Sequence, residues 1–233
     1  MQKYSLDENY FDVIDTEHKA YWLGFLYADG SLSKTTSSSS GKNRLQLTLS
    51  VNDIEQLEKF KNDLNFTGPI HKSTLSNAYK MDTEVCYMHI NSRPLCISLE
   101  RHGFELKDNR VAIPNMSKDL IPHFIRGYFD GDGCISVFEY DAKRSNGKTY
   151  HRYCQEFSIT SNEDILQEFK SIFEKECNVS KRVKFKVYNR TSKAVSLRYG
   201  GKQDVISLYH YMYDNATIYM ARKYNNFQQV LLR

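Results

Sequence analysis

The chain has 233 residues, 40% of them hydrophobic, and a formal net charge of +4; that is enough apolar material for one large domain or two small ones. So slight a positive balance does not decide for a polyanionic partner, and the placement of charge says more than its sum. Five cysteines (Cys86, Cys96, Cys134, Cys154 and Cys177) make no C-x-x-C pair, and no signal-type run or stretch of about 18 consecutive apolar residues occurs; this argues against a zinc site, a disulfide framework, secretion and membrane insertion. The expected location is the cytoplasm, or wherever the encoding genome resides.

In chain order, the first strong signal is WLGFLYADG at Trp22 to Gly30. Its apolar residues read as the end of a helix, with Gly30 expected as a left-handed C-cap. The run TTSSSS at Thr35 to Ser40 reads as a hairpin tip. Leu45, Leu47, Leu49 and Val51 then alternate with Arg44, Gln46, Thr48 and Ser50, which predicts a half-buried strand, and Asp53 to Leu64 follows with helical spacing. Pro114, Asn115 and Pro122 interrupt periodicity before a second motif, IRGYFDGDG at Ile125 to Gly133, whose last glycine lies 103 residues after Gly30. Phe157 and Ile159 alternate with Glu156, Ser158 and Thr160, and a helical run spans Glu163 to Glu176. Each half reads as helix, two strands, helix, two strands, helix. The predicted class is α+β, with two pseudo-symmetric repeats over 1–115 and 116–233.

The motifs carry the chemistry. Gly24 and Ala28 are four residues apart, as are Gly127 and Gly131, so each motif helix presents two small residues on one face. Two such faces predict close packing of the helices about a pseudo-twofold axis. Asp29 and Asp132 fall in the last helical turn, where the macrodipole disfavours negative charge. Side by side they would also repel, and hard divalent cations would relieve both problems.

The two motifs, in the contexts AYWLGFLYADGSL (Ala20 to Leu32) and HFIRGYFDGDGCISV (His123 to Val137) and together with ATIYMARKYNNF (Ala216 to Phe227), resemble those of single-chain LAGLIDADG homing endonucleases of the bacterial and phage-like branch. The resemblance spans nearly the whole chain. It implies two αββαββα halves whose antiparallel sheets form a saddle over DNA around a central two-helix interface. It also implies Asp29 and Asp132 as ligands of Mg²⁺, with Mn²⁺ able to substitute, at the two scissile phosphates. A lysine near each active site is implied as well, offered by Lys107 in KDNRVAIP and Lys223 in ARKYNNF. Asp53 and Glu163 fall in the region of the family's polar water-network positions. The motif's earlier acidic position is Tyr27 in the first copy and Asp130 in the second, while Leu23 and Arg126 replace its usual small residue.

Charge placement points to the same partner. Between Lys181 and Lys202 there are eight Lys/Arg residues and no Asp or Glu. Arg182, Lys184, Lys186 and Tyr188 alternate with Val183, Phe185 and Val187, predicting a strand with one basic face. Arg190, Lys193 and Arg198 extend this run; Lys143, Arg144, Lys148, His151 and Arg152 form a second basic hairpin, and Lys42 with Arg44 a weaker one. The basic groups would hold backbone phosphates while Gln46, Thr48, Ser50, Ser158 and Thr160 meet base edges in the major groove. The expected protein is a monomeric endonuclease that cuts both strands of a long asymmetric DNA target, leaving 3′ overhangs. The rival reading is a non-cleaving nucleic-acid binder on the same scaffold, an RNA-splicing maturase or a DNA-binding regulator.

Overall fold

The computed structural model of the protein describes residues 4–35, 41–77, 80–105, 107–187 and 194–232. They divide into two compact units. One holds the chain through Arg110 together with Pro114–Gly131; the other holds Val111–Ile113 and the chain from Asp132 onward. A boundary at 115 follows the sequence repeat and departs from this division, because the second motif helix packs backbone to backbone with the first.

The first unit begins with helix α1, Glu17–Asp29, started by Thr16, whose side chain accepts from the Lys19 amide. Every residue of α1 from Ala20 to Ala28 is buried, so its apolar character all round marks a core helix and not a surface one. Strands β1 (Gly30–Ser33) and β2 (Arg44–Ser50) follow, then helix α2 (Ile54–Asp63), strands β3 (His71–Asn77) and β4 (Lys80–Asn91), and helix α3 (Arg93–Arg101). The antiparallel sheet has the order β1-β2-β4-β3. Its register sets Leu45 opposite Ile90, Leu47 opposite Met88 and Leu49 opposite Cys86, all buried. The period-2 pattern of the sequence thus sorts one face into the core and leaves the other open. Helix α4, Ile121–Asp132, completes this unit as far as Gly131.

The second unit contains β5 (Gly133–Lys143), β6 (Thr149–Asn162), α5 (Glu163–Glu176), β7 (Lys186–Val187), β8 (Ala194–Tyr199), α6 (Lys202–Tyr213) and α7 (Ala221–Leu231). Its sheet order, β5-β6-β8-β7, repeats the first unit's order strand for strand. Asn162 caps α5 through its side chain, which accepts from the Ile165 amide. Phe157, Phe173, Tyr199 and Phe227 form an aromatic core in which Phe157 lies within 6.3 Å of each of the other three rings.

Two sequence expectations need correction. The second repeat ends in two helices, α6 and α7, where one was expected. Of the basic strand expected over Arg182 to Tyr188, the described residues are paired only at Lys186–Val187, and Tyr188 lies outside the described residues. Val183 and Phe185 do turn inward relative to exposed Arg182 and Lys184, but alternation alone does not supply a partner strand. All five cysteines are free thiols. Among the described residues, no helix is long and apolar enough to cross a membrane.

Candidate active site

The two motif helices approach each other closely. A Cβ built on Gly24 would stand 1.9 Å from the Phe124 carbonyl oxygen and 3.0 Å from the Tyr128 nitrogen. One built on Gly127 would stand 1.9 Å from the Tyr21 carbonyl oxygen and 2.9 Å from the Phe25 nitrogen. Each glycine faces the residues three before and one after the other glycine, which is twofold symmetry in backbone form. The next small pair closes the seam: a Cβ on Gly131 would lie 2.3 Å from Ala28 Cβ and 3.1 Å from Asp29 Oδ2.

Asp29 ends α1 and is half-buried, with Gly131 of α4 against its carboxylate. Asp132, the next residue after Gly131, ends α4 and is also half-buried. Gly30 is not a left-handed cap: its φ is −79° and ψ 154°, so α1 runs straight into β1. Glycine is required there by space, since a Cβ would lie 2.9 Å from both Leu26 Cδ2 and Leu26 O.

The positive group that the end of α1 calls for is present in the chain. Arg110 is 3% exposed and donates through Nη1 to the carbonyls of Leu26 (3.2 Å) and Tyr27 (2.7 Å), and through Nη2 to that of Gly30 (2.9 Å). Its guanidinium lies 3.9 Å over the Phe104 ring. A planar five-donor cation adds donors to the carbonyls at the helix end, where that of Leu26 already accepts the Gly30 amide, and offsets the negative end of the dipole. The negative end of the α1 dipole is therefore compensated by the protein's own cation. Lys107, the lysine expected from the same segment, is exposed in a 3-10 turn. Lys223, by contrast, is 3% exposed in the first turn of α7.

The departures from motif symmetry form a buried polar cluster. Tyr21 donates its hydroxyl to Asp130 (2.8 Å) and accepts from Gln56 Nε2 (2.6 Å). Burial, and then the Asp130 charge, push the Tyr21 hydroxyl well above the usual tyrosine range. Arg126 is wholly buried, 2.7 Å from Glu17, and donates to His123 Nδ1 at 2.8 Å. Burial, with the Arg126 charge second, holds His123 below the ordinary histidine value. Asp53 lies in the 3-10 turn before α2, and Glu163 opens α5.

The residues expected to meet nucleic acid fall on several surfaces. Arg44, Gln46 and Thr48 share the open face of the first sheet, with Arg44 Nε donating to Asn91 (2.9 Å). Tyr87, His89 and Asn91 of β4 sit opposite Thr48, Gln46 and Arg44 on that face; sequence reasoning missed them. Burial, then Arg44 and His71, lower the His89 pKa. Ser50 is exposed, but its hydroxyl accepts from the Asn52 amide and caps a turn. Lys42 is half-buried. Lys143, Arg144, Lys148 and Arg152 are exposed on the β5–β6 hairpin. Lys143 lies on the face opposite to Arg152, because Arg152 pairs with Tyr140 and Lys143 with Thr149. Ser158 and Thr160 stand opposite Arg198 and Ser196. Arg198 is ion-paired with Glu156 at 2.7 Å, so the acid missing from its own segment comes from the neighbouring strand. Lys186 lies in β7, while Arg190 and Lys193 lie outside the described residues.

Residues 125–231 match the protein family described as "LAGLIDADG endonuclease". No curated protein matches the chain. Among solved structures, the chain is similar to LAGLIDADG meganuclease I-AabMI bound to uncleaved DNA, with TM-score 0.58 and 17% identity over 91% of this chain and 88% of that one. It is similar to LAGLIDADG homing endonuclease I-GzeII in complex with its DNA target, with TM-score 0.56 and 18% identity over 91% and 88%. It is also similar to I-SmaMI bound to an uncleaved DNA target in the presence of calcium ions, with TM-score 0.52 and 14% identity over 94% and 92%. At these identities the likeness establishes a shared fold.

Proposed function

We propose that the protein is a site-specific, divalent-metal-dependent endonuclease of the LAGLIDADG type, a reading supported by the match of residues 125–231 to that family and by the fold shared with solved homing endonucleases over most of the chain. It acts as a monomer on double-stranded DNA, hydrolyses one phosphodiester in each strand of a long asymmetric target and leaves 3′ overhangs. One observation carries the reading: the motif helices touch backbone to backbone, with Gly131, the residue before Asp132, against the Asp29 carboxylate.

The donor set fits Mg²⁺ in one particular way. Among the described residues no three His, Cys, Asp or Glu side chains gather as a metal cage, and each motif helix ends on one aspartate, Asp29 and Asp132, while Asp130 is bonded to Tyr21. Mg²⁺ commonly takes one or two carboxylates and completes its shell with water and substrate phosphate oxygens. Asp29 and Asp132 would be the metal ligands at the two scissile phosphates, whose oxygens would help to complete the shells. The bound metal supplies charge neutralisation of the phosphodiester under attack. The aspartates act as ligands and not as proton donors, and Arg110 holds the last turn of α1, which carries Asp29, in place. Arg44, Gln46, Thr48 and His89 on one sheet, and Arg152, Ser158 and Thr160 on the other, supply phosphate and base contacts.

Incubating the protein with a randomised or host-genome DNA library and Mg²⁺, and sequencing the cut ends, tests the proposal. The expected result is one enriched long site with a fixed stagger and 3′ overhangs, retained with Mn²⁺ and absent with chelator. Salt-sensitive binding without any metal-dependent cut would instead make the chain a non-cleaving nucleic-acid binder on this scaffold.

A further inference from the structure

The β5–β6 hairpin outruns its sheet. Among the described residues, strand β8 pairs with β6 from Phe157 to Asn162, whereas β5 follows β6 out to the Lys143–Thr149 pair. Beyond Gln155 this leaves a two-stranded ribbon whose faces are separated by the pleat. One face carries Glu139, Asp141, His151 and Tyr153. Both acids are engaged there by one imidazole, with His151 Nδ1 2.8 Å from Asp141 and Nε2 3.2 Å from Glu139.

The opposite face is different in kind. It carries Phe138 and Tyr140 on β5, and Tyr150 and Arg152 on β6. Phe138 and Tyr140 are stacked, 6.4 Å between centroids and 15° between planes. They are 47% and 44% exposed, and Tyr150 is 37% exposed with the Arg144 guanidinium 5.1 Å over its ring. Among the described ribbon residues this face has no acid. Exposed aromatic rings flanked only by guanidinium groups call for a partner that is polyanionic and also presents apolar groups. The major groove of duplex DNA meets both conditions: it admits a two-stranded ribbon, and its apolar feature is the 5-methyl group of thymine.

We propose that Phe138, Tyr140 and Tyr150 form a stripe that reads thymine methyl groups in one half of the DNA target, with Arg144 and Arg152 fixing the flanking phosphates. This rests on the DNA-binding reading above and adds to it a base chemistry for one half-site. The test uses the whole chain in Ca²⁺. Duplexes bound from a random-sequence pool are enriched, and the tightest is remade with uracil replacing thymine in one half at a time. Uracil lacks only the methyl group. Each methyl lost from contact should weaken binding roughly fourfold, in one half of the site and not in the other. The double variant Phe138→Ser/Tyr140→Ser, altered at exposed positions and checked for an unchanged melting temperature, should bind thymine and uracil duplexes alike. Arg152→Met should keep the thymine preference and flatten the salt dependence. Equal wild-type binding of thymine and uracil duplexes overturns the stripe, as does a double variant that still discriminates. A concentration-dependent self-association abolished by the double variant would assign the stripe to a second copy of the chain and overturn it too. If no duplex is enriched at all, the DNA-binding reading falls, and the stripe with it.

Discussion

At one end of the motif-helix pair the Tyr21 hydroxyl donates to the buried Asp130 carboxylate, while at the place made equivalent by the 103-residue repeat Phe124 meets Tyr27 edge-on, 5.2 Å between centroids. Around these contacts Gly24 and Gly127 repeat the same backbone approach in both directions. Where backbone meets backbone only a missing side chain fits, so the duplicated copies stay alike. Where side chain meets side chain across the seam, the two copies could diverge together, provided that each buried polar group kept a partner. The difference teaches which positions are fixed by shape and which by pairing.

Filling the shared seam should have the largest effect. Gly127→Val drives side-chain atoms into the Tyr21 carbonyl, which no rotamer change relieves, and should remove about 4 kcal/mol or more in denaturant unfolding. Gly147→Asn is the control: its φ is +78°, but nothing lies within 4 Å of an added Cβ, and it should shift the midpoint little. Next comes the polar half of the comparison. Asp130→Leu leaves the buried Tyr21 hydroxyl without its acceptor, Gln56 remaining as a donor to it, and should cost about 2–3 kcal/mol, and adding Tyr21→Phe should recover part of that. Full additivity in this double-mutant cycle would mean that the pair is not coupled. At the mirror position, Phe124→Leu should cost only about 1 kcal/mol, as a change of packing alone.

Smaller again is the end of α1. Arg110→Met removes the donors to three carbonyls and should lose about 2 kcal/mol, whereas Lys107→Met should stay within about 0.5 kcal/mol. Equal effects would erase the distinction between a buried cap and an exposed neighbour. The smallest effect is on pH dependence. His123 accepts from Arg126 and is held below the ordinary histidine value by burial and then by that charge. The unfolded chain therefore takes up this proton at higher pH than the folded one. The corresponding stability is complete above the unfolded histidine pKa and is lost as pH falls through the lower folded value. Melting temperature between pH 7.5 and 5 should fall less in His123→Gln than in the parent.

Much of this was legible in the sequence. The motif glycines, the alternation of Leu45, Leu47 and Leu49 and the helix from Glu163 to Glu176 all rest on local spacing, which periodicity reports directly. What escaped depends on partners distant in the chain. Arg110 reaches the end of α1 from more than 80 residues away. Glu156 neutralises Arg198 through strand register, so a segment that reads as purely basic is partly paired. Tyr87, His89 and Asn91 join the first sheet's open face by the same cause. Lys143 and Arg152 look like one basic cluster in sequence, yet the pleat sends them to opposite faces. The Gly30 expectation failed differently: a glycine after a helix has two physical reasons to be there, handedness and space, and letters alone do not separate them.

Strand-resolved cleavage of an enriched target, end-labelled on each strand in turn, bears most directly on the two aspartates. The parent should cut both strands in Mg²⁺, Asp29→Asn and Asp132→Asn should each lose most cutting while binding DNA as tightly as the parent, and the double variant should cut neither strand. Undiminished cutting by the double variant would contradict the proposed site.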